Sequence, residues 1–175
     1  PTGMANDADS AGLAEALFGA GRGHNIVFYL TVGSGVGGAL VIDGQLYGGG
    51  RGIASELGHL RPGLDADRPE QTVESAASGF GLAATARARL AQGPSRPAAE
   101  QLLARCDGQI EQLSGKMVAD AAAEGNALAQ EVFGKGVQAL GWGIAQMITL
   151  LAPDVVVIGG GVSLGGESLF FEPLR

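Results

Sequence analysis

Closely spaced glycines separate two strand-like segments within residues 30–43. Gly33, Gly35 and Gly38 match the loose G-x-G-x-x-G pattern of dinucleotide-binding folds, but that pattern requires a helix after the turn. Residues 39–42 are instead aliphatic, and the Asp-Gly pair that follows them is typical of a tight hairpin turn. The spacing therefore predicts a β-hairpin whose glycine turn could bind phosphate, rather than a Rossmann turn.

The segments around this hairpin alternate between helical and strand-like patterns. The uninterrupted apolar run at 155–158 is typical of a fully buried strand, and a glycine- and proline-rich loop is expected over 48–67. The mixed order indicates an α/β fold. Helices are expected over about 8–19, 73–90 (interrupted at 79–81), 98–105, 115–124, 127–151 and from 169 onward, and strands over 26–32, 39–42, 45–47 and 155–158.

Composition restricts the class of protein. Hydrophobic residues make up 46% of the 175 residues and charged residues 17%, which predicts one compact globular domain. The net charge of -7 argues against direct binding of nucleic acid by this chain, because phosphate contacts need clustered Lys and Arg. No apolar run approaches the roughly 20 residues of a membrane span. The single cysteine, Cys106, excludes an internal disulfide and favours a reducing, cytoplasmic compartment.

Four segments, in this order, resemble motifs of the ROK family of bacterial sugar kinases, sugar-sensing repressors and uncharacterised relatives. They are Asn-Asp-Ala-Asp at 6–9, the glycine turn at 30–38, Glu-Leu-Gly-His at 56–59 and Pro-Asp-Val-Val-Val-Ile-Gly-Gly-Gly-Val-Ser at 153–163. The resemblance implies an actin-like ATPase fold of the hexokinase, ribonuclease H-like type, with a mixed sheet and flanking helices. It also implies that residues 1–175 form a C-terminal lobe, and that a first lobe with a DxGGT motif and the extreme C-terminus lie outside this sequence.

The resemblance assigns roles to several polar side chains. Asp7 would be the base that takes the proton of the attacking sugar hydroxyl, and Asn6 would bind sugar hydroxyls beside it. Glu56 and His59 would be sugar ligands, and Glu74 matches a further sugar-binding Glu. From the residues alone, Asp7 could be a helix N-cap and Glu74 could stabilise its own helix N-terminus. Likewise, Glu56 could be solvated and His59 half-buried without binding anything.

The same resemblance implies ATP with Mg²⁺ as cofactor. The glycine turn would hold phosphates through clustered backbone N–H groups, and the second glycine cluster would lie against the adenosine. By itself that second cluster fits a tight strand-to-helix turn equally well. The sequence lacks the Gly-Lys-Ser/Thr ending of a Walker P-loop. The residues expected at the nucleotide are Thr31, Gly33, Ser34, Gly35, Gly37, Gly38, Gly159, Gly160 and Gly161.

The sequence departs from the family pattern after the ExGH motif. Many members continue with a CxCGxxGCxE segment, whose cysteines hold a structural zinc together with the motif's His, but residues 61–74 contain no cysteine here. A structural zinc needs about four ligands, and His59, His24 and Cys106 are widely separated in sequence. We therefore expect no metal site, and a less restrained loop around Glu56 and His59.

The sequence is compatible with three functions. The leading expectation is an ATP-dependent hexose kinase of glucokinase type that acts on a small-molecule sugar as a homodimer. The alternatives are a sugar-sensing repressor whose DNA-binding module lies outside this sequence, and a catalytically inactive relative. This chain alone is expected to be a poor catalyst, because it would form one wall of a cleft whose closure excludes water.

Overall fold

A mixed four-stranded sheet forms the centre of the computed structural model, which describes residues 6–63, 67–93 and 96–175. Its strands are β1 (Ile26–Val32), β2 (Val36–Ile42), β3 (Gln45–Leu46) and β4 (Val155–Gly159). Their order across the sheet is β3-β2-β1-β4. β1 and β2 form the expected antiparallel hairpin, β3 pairs with β2 antiparallel, and β4 pairs with β1 in parallel.

Strand β2 begins earlier than the sequence indicated. It starts at Val36 rather than Ala39, so that Gly37 pairs with Thr31 and Gly38 with Leu30. Because glycine is depleted in strands, the sequence pattern assigned residues 36–38 to the turn, and the predicted turn was too long. The turn itself is restricted to residues 33–35.

Strand β4 is not fully buried, contrary to the sequence-based expectation. Val157 is buried, but the other residues of the strand are only half-buried. The reason is topological: among the described residues, β4 has β1 as its one strand neighbour and therefore lies at an edge of the sheet.

Asp154 fixes the start of β4 against the start of β1. Its Oδ2 accepts hydrogen bonds from the N–H groups of Asn25 at 2.8 Å and Ile26 at 2.9 Å. The Ile26 bond, followed by the Asn25 bond, lowers the pKa of Asp154 from its usual 3.8. Because the folded-state pKa is the lower one, this contact stabilises the fold above pH 3.8, and the contribution is lost as the pH falls through the folded-state value.

Helices cover both faces of the sheet. Their bounds agree with the expected ones to within two residues, except that the expected 73–90 helix divides at Ser78 and that a π-helical turn, Glu167–Phe171, precedes the last short helix. The helices are α1 (Asp7–Phe18), α2 (Val73–Ala77), α3 (Gly79–Ala91), α4 (Arg96–Ala104), α5 (Gly115–Ala123), α6 (Ala127–Leu151) and α7 (Glu172–Leu174). No helix in the described ranges has both the length and the apolar character needed to cross a bilayer.

Polar side chains cap the helix starts that border the site. Asn6 Oδ1 accepts from the N–H of Asp9, so Asn6 is the N-cap of α1. Ser78 ends α2, because its N–H donates to the Glu74 carbonyl, and begins α3, because its Oγ accepts from the N–H of Gly81 at 3.0 Å. The caps of α2, α5 and α6 are Thr72, Ser114 and Asn126.

The alternation of side chains along β1 divides the core into two layers. Phe28 and Leu30 face the main core, which α2, α3, α5 and α6 enclose. Val27 and Tyr29 face α1 and form a smaller cluster with Ala16. The sheet therefore separates α1 from all the other long helices.

Helix α6 is the longest in the described structure and contains four glycines. A Cβ built on Gly136 would lie 2.9 Å from the carbonyl oxygen of Ala76 in α2. A Cβ on Gly143 would lie 3.2 Å from side-chain atoms of both Leu57 and Val73. These glycines allow α6 to approach α2 and the loop before it very closely. The glycines of α6 are Gly134, Gly136, Gly141 and Gly143.

Candidate functional site

The turn between β1 and β2 is held by the start of α3. The N–H of Gly79 donates to the carbonyl of Gly33 at 2.7 Å, and the N–H of Phe80 donates to that of Ser34 at 3.3 Å. Within the turn, the Gly33 N–H donates to the Gly35 carbonyl at 2.9 Å. In the described part of the chain, the N–H groups of Ser34 and Gly35 meet no acceptor. Two adjacent amides of this kind can bind an anion.

Glu74 contacts the end of the same turn. Its Oε2 accepts a hydrogen bond from the N–H of Val36 at 2.8 Å, although 38 residues separate the two. A Cβ on Gly35 would lie 2.7 Å from this oxygen, so the carboxylate can occupy its position only beside a glycine. Sequence analysis placed Glu74 among the sugar ligands or at its helix N-terminus, and no local signal indicates the contact with the turn.

The loop that contains the ExGH motif lies directly on β2. A Cβ on Gly38 would lie 2.3 Å from the carbonyl oxygen of Ser55, and one on Gly58 would lie 2.2 Å from that of Val36. The side chain of Leu57 is fully buried beneath the loop. Backbone packing and this apolar anchor therefore restrain the loop. Gly37 and Gly38, expected at the nucleotide, lie in β2, where Gly38 supports this loop.

Glu56 and His59 flank the buried part of that loop and are both exposed. Leu57–His59 form one 3₁₀ turn, which places the two side chains on the surface on either side of Leu57. They are thus available to a ligand, and neither is engaged in a hydrogen bond in the described structure. The expectation that His59 could be half-buried is wrong.

Asn6 and Asp7 lie at the hairpin-turn end of the sheet. A Cβ on Gly37 would lie 3.0 Å from Ala8 Cβ and 3.4 Å from Thr31 Cγ2, which places Thr31 and the start of α1 on the same face of the sheet. Asp7 is exposed and is not the helix N-cap, because Asn6 has that position. The Asp7 carboxylate therefore stands free beside the turn, apart from a 2.9 Å contact with the N–H of Ala8.

A cleft of about 670 Å³ opens on the other side of the turn. The N-termini of α3 and α5 both border it, and their partial positive charge favours an anionic ligand. The sequence signal for this wall was the repeated Ser-Gly pair at 78–79 and 114–115, which sequence analysis left unused. The residues that line the cleft are Gly33, Ser34, Gly79, Phe80, Ala83, Arg87, Gln112, Leu113, Ser114, Gly115, Lys116, Ala119, Asp120, Ala123, Gly161, Val162, Leu164 and Gly165.

The second glycine cluster contributes to this cleft in part. Gly161 lines it, together with Val162 and Leu164 of the 3₁₀ turn that follows β4. Gly160 instead packs on the backbone of Val32, and a Cβ on Gly159 would lie 2.9 Å from the Tyr29 hydroxyl. Gly161 is therefore the member of the cluster that can contact a ligand in the cleft.

Arg87 organises the segment that leads into α5. Its Nη2 donates to the carbonyls of Glu111 at 2.8 Å and Leu113 at 2.7 Å, directly before the cap of α5. Lys116 and Asp120 pair at 2.7 Å on the exposed face of α5 at the cleft. Arg87 adds positive charge to a cleft that two helix N-termini already favour for anions, whereas the charge of Lys116 is balanced by Asp120, which lines the same cleft.

Metal-ligating side chains do not cluster in residues 6–63, 67–93 and 96–175: no three His, Cys, Asp or Glu come close enough to share an ion. Cys106 is buried, and its Sγ lies 3.3 Å from the carbonyl oxygen of Leu103. Residues 64–66, within the segment where many ROK members have zinc ligands, lie outside the described ranges.

Comparison with known proteins identifies the family. The ROK family model matches residues 1–174. Glucokinase from Streptomyces coelicolor is 36% identical, with 100% of this chain covering 56% of that protein. Glucokinase from Thermotoga maritima is also 36% identical, with 98% of this chain covering 54% of it. The chain thus spans about half the length of the curated relatives it matches.

Solved structures show the same fold. A ROK glucokinase from Streptomyces griseus in complex with glucose and AMPPNP superposes with a TM-score of 0.81 at 36% identity, over 97% of this chain and 55% of that one. A ROK family transcriptional regulator, a homolog of the E. coli MLC protein, superposes with a TM-score of 0.77 at 28% identity, over 97% and 41%. The expected actin-like ATPase fold, a mixed sheet with flanking helices, is confirmed. The chain belongs to the ROK family.

Proposed function

We propose that the complete protein containing this sequence is an ATP-dependent hexose kinase of glucokinase type, and that residues 1–175 form its C-terminal lobe. The observation that carries the proposal is the position of Asp7. Its free carboxylate lies at the end of the sheet where the β1–β2 turn presents two free amides, and the cleft opens from that same turn. A proton acceptor and a phosphate site would thus be neighbours.

In this proposal, one set of residues near the turn binds and deprotonates the sugar, and another set binds the nucleotide. Asp7 would accept the proton of the sugar hydroxyl as its oxygen attacks the γ-phosphorus. Asn6 keeps its amide N–H₂ for sugar hydroxyls, because its cap bond uses Oδ1. Glu56 and His59 would bind further hydroxyls from the exposed loop. The N–H groups of Ser34 and Gly35 would hold a phosphate, and Gly161 would lie near the adenosine.

The nucleotide would enter the cleft as its magnesium complex. Mg²⁺ usually keeps several water molecules and binds phosphate oxygens rather than a cage of protein ligands. The described residues form no acidic cluster for it, and we assign it no ligand from this chain. The glucose and AMPPNP bound by the Streptomyces griseus relative support a sugar and ATP as partners. From the resemblance and the single cysteine, we also propose a cytoplasmic homodimer.

A sugar-sensing repressor is the second candidate. Two comparisons support it: the transcriptional regulator described above, and a xylose repressor from Caldicellulosiruptor bescii that is 27% identical over 100% of this chain and 43% of that protein. In that case the acidic chain would bind sugar, and DNA would be bound by another part of the complete protein. A catalytically inactive relative would share the fold without phosphoryl transfer.

The deciding experiment is a phosphoryl-transfer screen of the complete protein with Mg-ATP against hexoses and amino sugars. The proposal predicts ADP release that depends on one of these sugars, with a turnover number of about 1–100 per second. Sugar binding without ADP release, accompanied by DNA binding, would favour the repressor. Binding of neither sugar nor nucleotide would favour the inactive relative.

Gly33 provides a test of the phosphate turn, residues 33–35 between β1 and β2, that does not disturb the fold. A Cβ at this position meets no atom within 4 Å, yet the residue lines the cleft. Gly33→Ala should change the free energy of unfolding by less than about 0.5 kcal/mol. The added methyl group would compete for space with a phosphate bound at the turn. Loss of one phosphate contact worth about 1.4 kcal/mol should raise KM for ATP about tenfold.

Gly134→Ala is the control for KM, because Gly134 also has no neighbour within 4 Å but lies in α6, away from the cleft. Its KM for ATP should equal that of the wild type. Steady-state kinetics and urea unfolding check both variants. An unchanged KM for ATP in Gly33→Ala would remove the turn from the nucleotide site.

A further inference from the structure

We propose that Glu74 is a positioning residue that couples the sugar site to the nucleotide site, an inference that rests on the function proposed above. The two oxygens of its carboxylate differ in their hydrogen bonding. Oε2 accepts from the Val36 N–H at 2.8 Å, and in the described structure Oε1 has no hydrogen-bond partner. The side chain is half-buried at the junction of the two sites.

In the described structure, one short segment of the chain supports the phosphate turn and the Val36 amide that follows it. Residues 74–80 contact it at three points: the Glu74 carboxylate on the Val36 N–H, and the N–H groups of Gly79 and Phe80 on the carbonyls of Gly33 and Ser34. The Glu74 bond is the charge-assisted one of the three and hence the strongest type. This bond engages the Val36 amide with Glu74. The amides of Ser34 and Gly35, which precede it in the chain, are left for a ligand.

The same segment is attached to the loop on the sugar side. The N–H of Val73, directly before Glu74, donates to the carbonyl of Leu60 at 2.7 Å. Leu60 ends the 3₁₀ turn that carries His59. The backbone beside Glu74 is thus linked to the loop that contains the ExGH motif, while the Glu74 side chain holds the end of the phosphate turn. A sugar hydroxyl that donates to Oε1 would fix the carboxylate in the orientation that the turn requires.

Coupling of this kind acts equally in both directions at equilibrium. A sugar that immobilises Glu74 prepares the turn for phosphate, and a bound nucleotide immobilises the carboxylate for the sugar. We therefore expect glucose, or whichever hexose the screen identifies, to tighten AMPPNP binding by about fivefold or more. Isothermal titration of the complete protein with AMPPNP, with and without the sugar, measures this factor.

Three variants separate positioning from other roles. Glu74→Ala removes the bond to Val36, whereas Glu74→Gln keeps a carbonyl oxygen that can accept it. Thr72→Ala is the control for fold stability, because it breaks the capping box of α2 with Ser75 but leaves the Glu74 contact in place. All three lie in or next to the first turn of α2.

Hydrogen exchange of the Val36 amide, followed by mass spectrometry of a peptide spanning the turn, reports the bond without any ligand. Glu74→Ala should speed exchange at this site at least tenfold relative to Thr72→Ala, and Glu74→Gln should restore most of the protection. Without sugar, AMPPNP should bind Glu74→Ala at least fivefold more weakly than Thr72→Ala. The sugar should no longer tighten AMPPNP binding in Glu74→Ala.

The outcomes distinguish this inference from the proposed function. Equal exchange at Val36 in Glu74→Ala and Thr72→Ala would overturn the positioning role, whatever the enzyme's activity. Sugar-enhanced AMPPNP binding that persists in Glu74→Ala would overturn the coupling. A wild-type protein that binds no AMPPNP would overturn the proposed function, and the coupling with it, even if exchange at Val36 followed the expected order.

Discussion

Replacing Asp7 with Asn in the complete protein should lower kcat by a factor of about 10² to 10⁴. Asn has the same shape but cannot accept the hydroxyl proton as the new bond to phosphorus forms. The affinities for sugar and ATP should stay within about threefold of the wild-type values, because the loss falls on the transition state rather than on binding. Helix α1 should remain intact, since Asn6 is its cap.

The matched control is Asp9→Asn. Asp9 lies in the same first turn of α1, so both substitutions remove one carboxylate from the helix N-terminus. Each should therefore cost a similar 0.3–1 kcal/mol, approximately, in the free energy of unfolding. Steady-state kinetics and thermal unfolding of both variants provide the comparison. A kcat in Asp7→Asn close to that of Asp9→Asn would contradict the assignment of Asp7 as the base.

Replacing Gly160 with Ala should reduce the free energy of unfolding by about 3 kcal/mol or more. Gly160 has φ 94° and ψ 163°, a region that is essentially restricted to glycine and costs other residues about 1–3 kcal/mol. A Cβ there would also lie 2.4 Å from the carbonyl oxygen of Val32, and such overpacking costs a further 1–3 kcal/mol or so. A loss of this size is a large fraction of the stability of a typical domain.

The neighbouring Gly161→Ala is the control for stability. A Cβ at Gly161 meets nothing within 4 Å, and its backbone is not in the positive-φ region. Its free energy of unfolding should stay within about 0.5 kcal/mol of the wild-type value. Urea denaturation at equilibrium measures both variants. Equal denaturation midpoints for Gly160→Ala and Gly161→Ala would contradict the prediction. They would mean that the backbone contact between Gly160 and Val32 adjusts to the added Cβ without loss of stability.

Local sequence signals predicted much of the fold. Helix α6 has the expected bounds, 127–151, because its apolar residues recur at helical spacing and Pro153 cannot continue the helix. The hairpin was also identified correctly, since a strand pattern follows its turn. The start of β2 was misplaced because the pairing of Gly37 and Gly38 depends on β1 rather than on their own strand propensity.

The candidate site was less accessible to sequence reasoning. Motif resemblance named Asp7, Asn6, Glu56 and His59, and the structure places all of them where a ligand could reach them. The bond between Glu74 and Val36 could not be derived, because it joins residues 38 positions apart without a periodic signal. The N-termini of α3 and α5 form one wall of the cleft. Their relative position is determined by tertiary packing, and the sequence pattern of either helix therefore does not predict this wall.

Helix α6 contains four glycines, and each costs about 1 kcal/mol relative to alanine in a helix interior. In isolation this helix would be frayed, because its stability comes from packing in the main core against α2, α3 and α5 and against Leu57 beneath the ExGH loop. Local unfolding of that loop would therefore remove Leu57 from the core that holds α6 in place. Because the site and the main core share these contacts, residues 6–175 should behave as one cooperative folding unit, with no stable intermediate that keeps the core but loses the site.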